Sequence, residues 1–78
     1  MLDSDFGQVR LHIEEMITEK GFSKNKFAQK AEMQRTQLNK YCSGEIVLLD
    51  INVLGRICTV LECDIGDILE FIPPEKLN

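Results

Sequence analysis

Between Gly21 and Gly44 the sequence holds two short helical patterns and the four residues that join them, Ala31-Glu32-Met33-Gln34. No other feature constrains the fold as strongly. Ser23 stands as an N-cap, and Phe22 before it pairs with Phe27 in the new helix as a hydrophobic staple. The spacing predicts helix two over 24–31, running through Phe27, Ala28 and Ala31. Met33 is the one apolar residue of the connection and is expected to point inward. From Gln34 to Cys42 the pattern is helical again, with Leu38 and Tyr41 as its inner stripe and Gly44 as the stop. Two helices joined this tightly match a helix-turn-helix, and a small residue at Ala28 lets them approach closely.

The rest of the chain supplies what this pair packs against. Asp5-Phe6-Gly7-Gln8 fits a capping box, and Val9, Ile13, Met16 and Ile17 follow at helical spacing, which predicts helix one over 6–20 with Gly21 as its stop. Ile46-Val47-Leu48-Leu49 is β-prone, but a lone strand has nothing to pair with, so the expectation is a loop packed on the core. Asp50 or Asn52 caps helix four, whose inner face is Val53, Leu54, Ile57, Cys58 and Leu61. Asp64 opens helix five, with Asp67 three residues on and a second staple from Cys63 and Ile68. Ile65, Ile68, Leu69 and Ile72 bury that helix, and Pro73-Pro74 ends it. The expectation is an all-α, compact five-helix domain over 1–78, with its core at about 6–72 and a short tail at 73–78.

Several function classes find no footing. No apolar run approaches the roughly 18 residues of a membrane span. The N-terminus lacks the basic start and apolar middle of a signal peptide, so a cytoplasmic protein without a membrane partner is expected. Cys42, Cys58 and Cys63 are an odd set with no C-x-x-C pair and no second histidine near them, which reads as free thiols and no metal site. His12 is expected on the polar side of helix one as a solvated surface residue rather than a general base. The carboxylates sit around helix ends, where they cap and oppose dipoles. The glycines are isolated and form no phosphate loop. No catalytic residue, cofactor or small-molecule substrate is expected.

Charge is distributed by segment. The net charge is −4 overall, but it is −4 over 1–19, +4 over 20–45 and −4 over 46–78. The basic middle coincides with the two-helix unit. With Leu38 and Tyr41 inward, the second helix turns Arg35, Thr36, Gln37, Asn39 and Lys40 outward, a face with two cations, amides and a hydroxyl but no carboxylate. Such side chains can read base edges, Arg on guanine and Gln or Asn on adenine.

Ser23-Lys24-Asn25-Lys26-Phe27-Ala28, the turn, and Leu38-Asn39-Lys40-Tyr41-Cys42-Ser43-Gly44 resemble the helix-turn-helix of phage repressor and Cro-type regulators, the XRE family. Leu54-Gly55-Arg56-Ile57-Cys58 and the run from Leu61 to Phe71 resemble the closing helices of a compact, single-domain bacterial subgroup of that family. The resemblance implies a repressor-like five-helix domain that binds double-stranded DNA, usually as a homodimer on a two-fold site, with helix three in the major groove. It places Gln34, Arg35, Thr36 and Asn39 at base contacts, Lys40 and Ser43 near the backbone, and Lys24 where the family often meets phosphate with Gln. With Gln37 from the outward face, these residues make up the expected DNA-binding set.

The sequence departs from the family at four points. Glu32 stands where the turn often has Gly, Cys42 replaces a common Glu, Glu45 puts an acid where a base is frequent, and the loop 45–52 is about two residues longer. The acidic ends and Glu45 keep an alternative open, a protein-interaction or antitoxin-like module on the same fold. Ile46, Val47, Leu48, Phe71 and Ile72 are spare apolar residues, open to either a dimer patch or burial in the monomer.

Overall fold

The computed structural model describes residues 5–45 and 48–77. Its elements run β1 (Gln8–Leu11), α1 (Ile13–Glu19), α2 (Lys24–Lys30), α3 (Arg35–Ser43), α4 (Ile51–Leu61), α5 (Ile65–Ile68) and β2 (Leu69–Ile72), followed by a 3-10 turn at Pro74–Lys76. Among the described residues five helices carry the fold and a two-stranded antiparallel ribbon closes it.

The buried residues come from every helix and from the α2–α3 turn. They are Ile13 and Ile17, Phe27, Ala28 and Ala31, Met33, Leu38 and Tyr41, Val53, Leu54, Ile57 and Leu61, and Ile68. Among the described residues no polar or charged side chain is buried. The one hydroxyl in this core, that of Tyr41, accepts from the Asp50 amide at 3.3 Å and so ties the loop before α4 to α3. Asp50, rather than Asn52, caps α4, accepting from the Asn52 and Val53 amides at 2.8 and 3.4 Å. Asp64 opens α5 as expected, its amide donating to Asp67 Oδ2 at 2.9 Å.

The two ends of the chain depart from the helical expectation. Gln8-Val9-Arg10-Leu11 alternates polar and apolar, the period of a strand, and it pairs with Leu69–Ile72 in the register Gln8↔Ile72, Val9↔Phe71, Arg10↔Glu70, Leu11↔Leu69. Residues 5–8 open no helix, because Gln8 is already strand, and helix one begins at Ile13 rather than at residue 6. Val9 is 60% exposed instead of lying in the core. Helix five stops at Ile68, where Leu69 turns extended, so Ile72 belongs to β2 and Ile65 is largely exposed. Leu11 and Leu69, opposite one another, are the part of the ribbon that packs on the core. Gly7 permits the ribbon's outer end: a Cβ there would lie 2.3 Å from the Ile72 carbonyl oxygen and 2.7 Å from the Phe71 ring. Of the apolar loop expected at 46–49, residues 46 and 47 lie outside the described residues, Leu48 is exposed and Leu49 packs on the core.

His12 corrects a second expectation. It is no freely solvated helix residue but the N-cap of α1 and the continuation of β1, its amide donating to the Ile68 carbonyl at 2.8 Å. Its ring meets two carboxylates, Nδ1 with Glu15 and Nε2 with Glu70, each at 2.6 Å. These hydrogen bonds, first to Glu15 and then to Glu70, raise its pKa above the ordinary 6.5. The Glu15 carboxyl is held below its ordinary 4.5, chiefly by the bond from His12.

Two glutamates occupy the left-handed region. Glu32 in the α2–α3 turn has φ 54° and Glu62 at the end of α4 has φ 53°. A side chain there costs about 1–2 kcal/mol, against about 0.4–1 kcal/mol regained through a less flexible unfolded chain. Glu32→Gly and Glu62→Gly should each stabilise the fold by about 0.5–1 kcal/mol, read from urea unfolding with an unchanged m-value; a loss in either would show that the glutamate side chain holds its turn.

The triad around His12 sets a pH dependence. A raised histidine pKa contributes stability that is complete below 6.5 and is lost as pH rises through the folded value. A depressed glutamate contributes stability present above 4.5 and lost as pH falls through its folded value. The melting temperature should therefore peak between these limits and decline on the alkaline side. His12→Gln should flatten that decline up to about pH 8.5; beyond it, burial holds the Cys42 and Cys63 thiols above their ordinary 9.0 and adds a decline of its own.

Candidate nucleic-acid interface

The helix-turn-helix forms from local signals. The Lys26 amide donates to Ser23 Oγ at 3.2 Å, capping α2. Phe22 and Phe27 meet edge-to-face with centroids 5.9 Å apart, completing the staple, and the Lys30 ammonium lies 6.0 Å from the Phe22 ring centre. In the turn, the Met33 amide donates to the Ala28 carbonyl at 2.9 Å while Glu32 takes the positive φ. Arg56 of α4 donates through Nε to the Ala31 carbonyl at 2.8 Å, satisfying the end of α2 and clamping the turn from behind. Gln34 caps α3 through its backbone and makes no side-chain cap bond. Gly44 ends α3 in the left-handed conformation, φ 78°.

This frame places the expected residues as follows. Gln34, Arg35, Thr36, Asn39, Lys40 and Ser43 are exposed, and Gln37 is half-buried. The first turn of α3 carries no acidic residue, so nothing on the helix itself offsets the positive end of its dipole. Arg35 donates through Nε to Asn25 Oδ1 at 2.9 Å and through Nη1 to Asn39 Oδ1, which gathers three polar side chains of α2 and α3 into one network.

Two further members of the expected set are engaged outside this network. The Lys24 ammonium sits 2.6 Å from Glu14 of α1. The Ser43 hydroxyl donates to the Lys40 carbonyl at 3.2 Å and accepts from the Glu45 amide at 3.3 Å, so it serves the end of α3. On another side of α3, a shallow groove brings Gln34, Thr36, Gln37 and Lys40 together with Glu32 and Asp50. The carboxylate-free face is thus bordered by acid that the helix's own sequence does not reveal. Asn25, Glu14 and Arg56 were not singled out by sequence. Only the four-residue spacing of Arg35 and Asn39 signals part of the network, because the other contacts cross between helices.

Comparison with known proteins bears on the family and the fold. The family model of the Cro/C1-type HTH DNA-binding domain matches residues 12–74. The fold is similar to that in the crystal structure of transcriptional regulator VanUg, form II, with a TM-score of 0.68 and 23% identity over 94% of this chain and 96% of that one. No curated protein matches. The chain belongs to the Cro/C1-type helix-turn-helix DNA-binding domain family. Among the described residues no helix is long and apolar enough to cross a membrane.

The clamp on the turn can be measured without DNA. Arg56→Ala removes a charged donor and leaves the half-buried Ala31 carbonyl region without its partner, which should cost about 1–3 kcal/mol in urea unfolding. An unchanged midpoint would show that the turn holds itself.

Proposed function

We propose that the protein is a sequence-specific transcriptional regulator that lays α3 in the major groove of duplex DNA. One observation carries the reading: the second helix of a helix-turn-helix presents an exposed, donor-rich face without a carboxylate. Gln34, Arg35, Thr36 and Asn39 meet base edges, with Gln37 at the margin, while Lys40 and Lys24 meet phosphate. Ser43 contributes through the end of α3 that it stabilises. The role is non-catalytic and needs no cofactor or small-molecule substrate, and the protein acts in the cytoplasm as one domain spanning the helix-turn-helix and its closing helices.

A homodimer on a two-fold site is part of the proposal. Of the spare apolar residues, Leu48 and Phe71 are exposed and Ile72 is half-buried, while Ile46 and Val47 lie outside the described residues. Phe6, Val9, Ile51 and Ile65 are exposed as well, so the described surface offers apolar area for such pairing. The acid beside α3, from Glu32 and Asp50, and Glu14 on Lys24 favour a second reading, a protein-interaction or antitoxin-like module.

Selection from random duplexes separates the two. A DNA regulator enriches a duplex with two related half-sites and loses it steeply as salt rises. Arg35→Ala should weaken that duplex about tenfold or more and relax one base pair per half-site, while leaving stability within about 0.5 kcal/mol. Glu14→Gln should instead strengthen binding to every duplex by a similar, few-fold factor, because Lys24 no longer has to be shared with a carboxylate. No enrichment, or retention that is flat with salt, would favour the protein partner.

A further inference from the structure

Arg35 opens α3 and is exposed, yet its guanidinium is held at two points before any partner arrives. Asn25, the second residue of α2, takes Nε at 2.9 Å. Asn39, one turn further along α3, takes a terminal nitrogen. A guanidinium has only donors, so each amide must turn its oxygen toward Arg35 and its NH2 group away. For Asn39 this has a chemical consequence. An asparagine reads adenine with both ends of its amide, donating to N7 and accepting from the N6 amino group. Here one of the two lone pairs of Asn39 Oδ1 is taken by Arg35. The outward groups of the network itself are therefore the remaining N–H groups of Arg35 and the NH2 of Asn39, all donors, while Gln34 and Thr36 beside them carry acceptors as well. Guanine is the base that offers two acceptors, N7 and O6, on the major-groove edge.

We propose that Asn25 is a specificity-determining positioning residue: with Asn39 it fixes Arg35 for reading guanine. This rests on the DNA reading above. Asn25 need not touch the duplex. The rotamer freedom that a long arginine would lose on docking is largely surrendered on folding, so the side chain arrives oriented. Asn25 is exposed and caps no helix end, which leaves Asn25→Ala free to fold.

Two measurements test this. In the free protein, the Nε–Hε cross-peak of Arg35 should be protected from solvent exchange, lost in Asn25→Ala, and kept in Asn25→Asp, which retains the accepting oxygen. On the selected duplex, each guanine is replaced in turn by 7-deazaguanine, which removes only N7. One position per half-site should lose about tenfold or more in affinity for the unmodified protein and for Asn25→Asp, and under about threefold for Asn25→Ala. A full 7-deazaguanine penalty in Asn25→Ala would overturn the proposal. So would an adenine at that position whose discrimination disappears in Asn39→Ala, or an Arg35 cross-peak that exchanges freely in the unmodified protein. A protected cross-peak with no duplex bound at low salt would sink the DNA reading and the guanine assignment, leaving only the held arginine.

Discussion

No helix among the described residues exceeds the 11 residues of α4, and α5 has only 4. Helices of this length are marginal in water, because nucleation costs more than a few turns of hydrogen bonds return. Each exists by burying a stripe against the others, so the shared core is the condition for every element, α3 included. This is why the site is rigid without being large. Leu38 and Tyr41 are buried on one side of α3, and that burial decides which residues turn outward on the other. Tyr41 does more than fill space, since its hydroxyl also holds the start of α4.

The helix-turn-helix was legible because its signals are local. Ser23, Phe22 with Phe27, and Gly44 act within a few residues of themselves, and each occupies its expected role. The ribbon was not legible, because its partners lie at opposite ends of the chain. Val9 fits a helical stripe with Ile13 and also fits a two-residue alternation with Leu11; only Leu69–Ile72 decides between them. The β-prone run at 46–49 is the one that resembles a strand in sequence, whereas the two segments that do pair also fit the ends of helices. Glu32 posed a question that sequence could state but not answer, and the backbone answers it with a positive φ.

The candidate face was legible as a list of residues and not as an electrostatic surface. Charge counted along the chain made residues 20–45 a basic block. Folding brings Glu14 onto Lys24 and sets Glu32 and Asp50 in a groove with Lys40, so acid from three segments trims the positive field to the ridge of α3. A weaker general attraction to phosphate shifts the burden of recognition onto hydrogen bonds to bases, since nonspecific binding is almost wholly electrostatic. A small acidic protein that reads DNA gains discrimination from such trimming, at some loss of encounter rate.

The ribbon that joins Gln8–Leu11 to Leu69–Ile72 encloses all five helices in one chain loop. Closing so long a loop brings a large entropic cost before the few strand contacts repay it. The helical core can assemble from contacts nearer in sequence, with the ribbon sealing last and opening first. Its opening would release His12 from Glu70 and expose Leu11 and Leu69 while α2 and α3 stay docked. Such an opening would free Gln8–Leu11 and Leu69–Ile72 while leaving the helix-turn-helix whole, and those two strands are where proteases would first find the fold.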